Sequence, residues 1–304
     1  MSNFFAIFSL LLIPPVLSQE GTIVAFGDWG SPTAFRAIMR LNYFLTLNIR
    51  SDSRRDFVCL LGDNFYPSGI NPKLGFNDPK FRLFSDILAG NLSTTFLATI
   101  GNHDYVQRGG VGFQYNYSRV DDRWLMGAPL ATFASKPPLG GSTRPICVWQ
   151  IDSISIHQTY ITALDTVLSR LNCRFKIIIS HYPVFTFGQY QEDEDVLKFQ
   201  SYILPILTKH KIHLFLSGHE HSAQLISHSS LPTKFVIAGS PINVRDGHIR
   251  RGVTLDKKRN ATLEWFNDRT AGIVSRIKYN TTTLQVDFVD IWSLTVLTTV
   301  FIDA

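Results

Sequence analysis

The amino-acid sequence predicts an α/β fold with a strand-rich, α+β tail, and three observations carry that reading. Five apolar runs of strand length, residues 22–26, 56–61, 95–100, 175–179 and 212–216, each end in Gly or Ser and then deliver Asp, Asn or His. Segments with the helical spacing of apolar residues lie between most of them, the alternation expected of a parallel sheet with crossover helices. Beyond residue 221 the helical period disappears, and short β-prone runs follow one another between polar turns.

In order along the chain, strand 22–26 ends at Gly27-Asp28-Trp29-Gly30. Ser31 is placed to cap a helix with Pro32 at its first position, and 34–47 continues it. Strand 56–61 ends at Gly62-Asp63-Asn64-Phe65-Tyr66, where the glycine permits a sharp turn. Residues 66–77 are rich in Pro, Gly and Asn and read as loop; 78–88 reads as a helix opened by Asp78-Pro79. Strand 95–100 ends at Gly101-Asn102-His103-Asp104, and the aromatic stretch 105–141 is loop with a short helix expected over 118–124. Strand 146–151, helix 161–171, strand 175–179 ending at Ser180-His181, helix 196–210 kinked at Pro205, and strand 212–216 ending at Ser217-Gly218-His219-Glu220-His221 follow. The tail runs 235–238, 261–266, 272–279, 282–290 and 294–302 suggest an antiparallel region.

The 304 residues, 45% hydrophobic and 17% charged, supply enough core for one large domain, expected over residues 19–304. Residues 4–17 form an apolar stretch too short and too Pro-broken to span a membrane, and Val16-Leu17-Ser18 offers a signal-peptidase pattern. A signal peptide over residues 1–18 is therefore expected. Sequons at Asn91, Asn116, Asn260 and Asn280 agree with a secretory route, ending in secretion or in a lysosome-like or vacuole-like compartment. Three cysteines make neither a disulfide scaffold nor a zinc site; Cys59 lies inside an apolar run, and Cys147 and Cys173 are free to pair or not as far as sequence shows. The net charge of +5 is mild and has no concentrated basic stretch beyond Lys257-Lys258-Arg259. Nucleic acid binding is not expected, whereas anionic substrates are favoured. A monomer is expected.

The strand ends carry the chemistry. In an open α/β sheet the loops leaving the carboxyl ends of the strands converge, so side chains placed there meet. Asp28, Asp63 with Tyr66, Asn102 with His103, His181, and His219 with His221 offer carboxylate, phenol, amide oxygen and imidazole, a set suited to hard or borderline metal ions. There are more donors than one ion needs, and a carboxylate can bridge, so two ions are the economical reading. The other histidines, His157, His210, His213, His228 and His248, read as structural. The acidic run 192–195 reads as a solvated loop before a helix.

These five blocks, Asp28-Trp29-Gly30, Gly62-Asp63-Asn64-Phe65-Tyr66, Gly101-Asn102-His103-Asp104, Ser180-His181-Tyr182-Pro183 and Gly218-His219-Glu220-His221, resemble in order the motif blocks of the calcineurin-like metallophosphoesterases. Tyr66 in the second block resembles the purple acid phosphatases, and Tyr117-Ser118-Arg119, Arg123-Trp124 and His181-Tyr182-Pro183-Val184 are similar to their small, tartrate-resistant type. The resemblance implies a four-layer αββα sandwich with the metal site at the strand carboxyl ends. It implies Fe(3+) at Asp28, Asp63, Tyr66 and His221, and Fe(2+), Zn(2+) or Mn(2+) at Asp63, Asn102, His181 and His219, with Asp63 bridging and His103 beside the leaving group. The implied activity is hydrolysis of phosphate monoesters, on small phosphorylated substrates or phosphoproteins, by attack of a metal-bound hydroxide. A phosphodiesterase or nucleotide-directed enzyme of the same superfamily, and a catalytically silent secreted binding protein on this scaffold, are the alternative expectations.

Overall fold

In the first strand Ile23 and Ala25 face one way and Val24 and Phe26 the other, and all four are fully buried in two different core clusters. That is why the run lacks the polar alternation of a half-exposed strand. The computed structural model describes residues 21–50, 53, 55–127, 130–134, 144–243 and 254–304. The expected signal peptide over 1–18 and His248 lie outside them.

The strands are β1 (Gly21–Phe26), β2 (Phe57–Leu61), β3 (Thr95–Thr99), β4 (Trp124–Leu125), β5 (Leu130–Ala134), β6 (Arg144–Ile151), β7 (Cys173–Ile179) and β8 (Leu214–Ser217). The tail adds β9 (Ala223–His228), β10 (Leu231–Ala238), β11 (Leu255–Asp256), β12 (Ala261–Asn267), β13 (Ile273–Tyr279), β14 (Thr283–Asp290) and β15 (Thr295–Asp303). The helices are α1 (Phe35–Asn48), α2 (Asn102–Tyr105), α3 (Gly110–Tyr115), α4 (Gln158–Arg170) and α5 (Glu194–Lys209).

They build two sheets. One has the order β15-β14-β13-β1-β2-β3-β4, and the other β11-β12-β9-β10-β8-β7-β6-β5. Strands β1 to β4 run parallel, as do β6, β7, β8 and β10, so each sheet carries a block of carboxyl ends along one edge. Ile23, Cys59 and Leu97 of the first sheet pack against Val148, Ile177 and Leu216 of the second, forming the middle of the sandwich. Outside the first sheet, Ile38, Leu41, Phe44 and Leu45 of α1 cover Val24, Val58 and Phe96. Outside the second, Leu164 and Leu168 of α4 and Phe199 and Ile203 of α5 cover Trp149, Ile178 and Phe215. The layers are thus helix, sheet, sheet, helix, as the resemblance implies.

The local structure departs from the sequence reading in several places. Ser31 makes no side-chain capping bond; its hydroxyl meets Thr33 instead, and a 3-10 turn over Pro32–Ala34 opens α1. The expected helix 78–88 forms from residue 81 onward, opening on a turn at 79–80 and taking π-helical form over Leu83–Leu88. The expected helix over 118–124 is a 3-10 turn at Tyr117–Arg119 followed by β4. There Arg123 is drawn out of helical geometry by Asp121 and by the carbonyls of Ser85, Gly90 and Leu92, while Trp124 pairs beside Phe96. The tail is not one antiparallel unit: β9 was not anticipated, β10 runs parallel to β8, and β13 to β15 join the first sheet.

Cys147 and Cys173 form a disulfide between β6 and β7, closing 26 residues, while Cys59 is a buried free thiol. In the chain-entropy account a loop of that size is worth about 3 kcal/mol. Replacing both cysteines by Ser is expected to lower the unfolding free energy by about that amount in urea titration; coincident curves would remove the bridge from the stability account. At the base of the first sheet Asp56 accepts from the Thr22 and Arg50 backbone N–H groups and from the Arg50 guanidinium. Burial alone would raise its pKa, but the Arg50 bonds outweigh it and hold it below the usual carboxylate range. The folded pKa lies below the unfolded one, so the stabilisation is complete above the ordinary carboxylate pKa and is lost as pH falls through the lowered value. Asp56→Asn should therefore cost stability at neutral pH, and thermal melts of variant and parent should converge in acid.

Candidate metal centre

Parallel packing brings five strand ends to one place, and backbone hydrogen bonds tie them there. Asp28 N–H donates to Gly62 O at 3.0 Å, Gly218 N–H to His181 O at 3.1 Å, and Tyr66 N–H to Gly30 O at 3.0 Å. Three of the delivered residues, Asp28, Asp63 and His219, stand in left-handed backbone at φ of 58°, 51° and 69°. Non-glycine residues seldom adopt this conformation. The preceding Gly62 has φ of 85°, and a Cβ there would stand 2.6 Å from His181 Nδ1, so only glycine fits under that ring.

All seven sequence-predicted donors arrive. The Tyr66 hydroxyl lies 2.8 Å from Asp63 Oδ2 and 3.2 Å from both Asp28 Oδ1 and His221 Nε2. On the other side of Asp63, His181 Nε2 is 3.4 Å from its Oδ1 and 2.9 Å from Asn102 Oδ1. The His219 ring centre stands 5.0 Å from that of His181, and the His219 N–H donates to Asp28 Oδ2 at 2.9 Å. Asp28, Asp63 and His181 each place a ligand atom within 4.8 Å of the others. Asp28, Asp63, His181, His219 and His221 are buried, whereas Tyr66, Asn102 and His103 are half-exposed and form the mouth.

The arrangement fits cations and fits little else. The Tyr66 hydroxyl has one proton, yet two carboxylate oxygens and an imidazole nitrogen surround it. His181 Nδ1 faces the Leu61 carbonyl at 2.9 Å; a carbonyl only accepts, so Nδ1 carries the hydrogen. In the neutral ring Nε2 then turns a lone pair toward Asn102 Oδ1 and Asp63 Oδ1, a repulsive meeting unless a proton or a metal ion lies between. Burial alone would lower the His181 pKa, but the charges of Asp63 and Asp28 overcome it and raise it. Burial and the same two carboxylates push the Tyr66 phenol strongly up. For Asp28, burial is the largest influence and acts upward, but the His221 hydrogen bond and the neighbouring imidazoles bring its pKa down. Each of these is a proton doing what a multivalent cation does better. The second nitrogen of His181, fixed by a backbone carbonyl, is the usual way an imidazole ligand is oriented.

His103 sits at the rim. Its N–H donates to Asp63 Oδ1 at 2.9 Å, its ring centre is 4.6 Å from that of Tyr66, and its Nε2 is 4.0 Å from Asp63 Oδ2. The structural reading of the remaining described histidines stands. His210 meets Asp165 at 2.6 Å, His157 caps α4 by accepting from Tyr160 N–H, His213 accepts from Lys176 N–H, and His228 stacks on Phe185. In the acidic run, Asp193 caps α5 and Glu192 pairs with Arg259 at 2.9 Å.

Sequence reasoning missed two carboxylates that hold the site together. Asp104, fully buried, accepts from the N–H groups of Asn64, Phe65 and Gly101 and from Gln114 Nε2, clamping the loops after β2 and β3. Burial, then repulsion from Asp63, pushes its pKa up to about 6. Asp152 directly follows β6, a sixth strand end that delivers a carboxylate although no Gly or Ser precedes it, and that position was the signal available. Its Oδ2 accepts from the hydroxyls of Tyr105, Tyr115 and Ser155, and the adjacent Ser153 Oγ accepts from Tyr182 N–H at 3.0 Å. One short loop thereby steadies both α2, which carries Asn102 and His103, and the segment bearing His181.

With the geometry in hand, the comparisons define the class. The profile of the calcineurin-like phosphoesterases matches residues 21–223, and the chain belongs to that family. Within it, the chain is similar to tartrate-resistant acid phosphatase type 5 of Sus scrofa, 26% identical over 71% of this chain and 68% of that protein. It is similar also to purple acid phosphatase 17 of Arabidopsis thaliana, 26% identical over 79% and 74%. Among solved structures, GAP50, described as the anchor in the inner membrane complex of Plasmodium, has a TM-score of 0.73 at 18% identity, covering 93% of this chain and 89% of that one. Purple acid phosphatase PPD1 from yellow lupin (Lupinus luteus) seeds has a TM-score of 0.66 at 13% identity, covering 94% and 54%. These two likenesses concern the fold. Phosphoester hydrolysis is the chemistry of the class.

Asp152→Ala leaves three hydroxyls without their acceptor and is expected to cost on the order of 3 kcal/mol in denaturant titration, with Tyr105→Phe costing about 1. Amide exchange in α2 and at 181–182 should quicken in the Ala variant, and unaltered exchange there would show that the loop does not steady the site.

Proposed function

We propose that the chain is an acid phosphatase acting on phosphate monoesters at a binuclear Fe(III)–M(II) centre. Asp28, Asp63, Tyr66 and His221 would hold the ferric ion, and Asp63, Asn102, His181 and His219 the divalent one. The observation that carries this reading is the position of Asp63, one carboxylate oxygen toward Tyr66 and the other toward His181. Two such ions supply acidified water and neutralise phosphoryl oxygens, the principal demands of phosphoryl transfer.

The chain's own residues set the rest. The floor of the site places Asp28 and Asp63 out of solvent, and the half-exposed mouth admits a phosphoryl group past Tyr66, Asn102 and His103. His103 Nδ1 meets the Pro67 carbonyl at 2.6 Å, so it carries the hydrogen there. Its Nε2, turned toward Asp63, is the atom left to hold or give a proton. A phosphate seated between Asn102 and Tyr66 would place its departing oxygen within reach of that nitrogen, the role of a general acid. The absence of a Ser or Cys nucleophile within the assembled donor set agrees with direct hydrolysis.

Metal analysis with the visible spectrum tests the centre. Tyr66→Phe should lose a phenolate-to-ferric absorption band while the fold persists; a band that survives removes Tyr66 from the ligands. His103→Ala is expected to slow monoester turnover by about 100-fold to 10,000-fold with both ions retained. Comparison of a monoester with a diester substrate separates the phosphatase from a phosphodiesterase, and a protein that binds metal but turns over neither is a silent scaffold.

A further inference from the structure

Helix α1 turns an apolar face to solvent. Phe35, Met39, Tyr43 and Leu47 recur every fourth residue and are 49%, 52%, 47% and 55% exposed. Its opposite face fills the core, so the helix is apolar on both sides, an uncommon state for a surface helix. Beside the stripe, a groove of about 350 Å³ runs between α1 and the end of the π-helical segment with the turn that follows it, lined by Phe35, Met39, Asn42, Asp86, Ile87 and Asn91 among others. The groove is fixed in shape because Asn42 Nδ2 donates to Leu88 O at 2.9 Å across it.

Asn91 is the acceptor of the sequon Asn91-Leu92-Ser93 and stands at the rim of this groove. It is exposed, in a turn, with Leu92 beneath it buried as an anchor. The other three sequons are placed differently. Asn116 is half-buried and its amide donates to Gly112 O at 2.7 Å; Asn280 is half-buried and its carbonyl accepts from Thr282 and Thr283. Asn260 is exposed but follows Lys257, Lys258 and Arg259 and stands in left-handed backbone at φ of 54°. Asn91 joins an exposed acceptor amide to the solvent-facing apolar stripe of α1.

We propose that Asn91 is an N-glycosylation site and that the first sugars of its glycan lie along the groove and over the Phe35–Met39 end of the α1 stripe. The donor is a lipid-pyrophosphate-linked oligosaccharide of the secretory pathway. The Asn91 amide nitrogen bonds to its anomeric carbon, the carbon–oxygen bond to pyrophosphate breaks, and the amide proton leaves with the lipid pyrophosphate. The hydrophobic faces of the sugar rings then cover side chains that would otherwise meet water, and their hydroxyls meet solvent. The proposal is independent of the phosphatase reading.

The test is glycopeptide mass spectrometry of the full chain made in a secretory host, followed by removal of the acceptor in two ways, Asn91→Gln and Ser93→Ala. A glycan is expected on Asn91, and both variants should bind more of the apolar dye ANS and aggregate at lower temperature than the parent. Asn260→Gln should change neither, and adding Phe35→Ser with Met39→Ser to Asn91→Gln should return dye binding toward the parent level. An unmodified Asn91 overturns the site. A modified Asn91 whose removal leaves dye binding and aggregation unchanged overturns the covering role.

Discussion

Asp28, Asp63 and His219 are held in left-handed backbone, and the rest of the centre depends on what keeps them there. Each such residue costs on the order of 1–3 kcal/mol and persists only where its surroundings over-determine it. Here the surroundings are the two parallel blocks of strands. Burial on both faces fixes β1, β2 and β8 in register, and the second residue beyond each turns sharply as the chain leaves the sheet. The turn throws the side chain inward instead of along the strand. Backbone bonds between neighbouring strand ends then close the ring, so that no one turn relaxes without disturbing another.

The same constraint explains the electrostatics. Two buried carboxylates stand close together with imidazoles around them and one phenol proton between them. Such a group is stable only with compensating positive charge, and the structure satisfies it with shared protons and raised or lowered pKa values on the groups involved. The site is therefore poised for cations before any arrives. Asp104 and Asp152 do different work: their charge is spent on N–H and O–H donors of the loops, and they fix positions without belonging to the donor set.

What was legible in the sequence follows from locality. Asp28, Asp63, Asn102, His181 and His219 could be found because each follows a buried strand by two or three residues, past a Gly or Ser, a signal carried by a few neighbouring residues. Asp104 was visible in its motif but silent in role, because two of the N–H groups it serves lie 40 and 39 residues earlier, in Asn64 and Phe65. The helix expected over 118–124 failed for the same reason: the side chain of Arg123 is committed to carbonyls more than 30 residues earlier. Strand β9 escaped notice because its interior includes Gln224, buried yet polar, whose partners lie at Thr186, Phe187 and Ser222. The pairing of Cys147 with Cys173 needed the register of β6 against β7.

The tail's division between the sheets bears on the order in which the chain can become native. Strand β13 borders β1, and Ala238 at the end of β10 accepts the N–H of Gly27. Strand β1, paired with β2 on one side, thus lacks its other neighbour until residues 273–279 are in place. The matched segment 21–223 would leave both β1 and β8 with an open side, a template for unwanted pairing. The turns that carry the candidate ligands are consequently secured in part by strands beyond the matched segment, which makes their assembly a late event of folding.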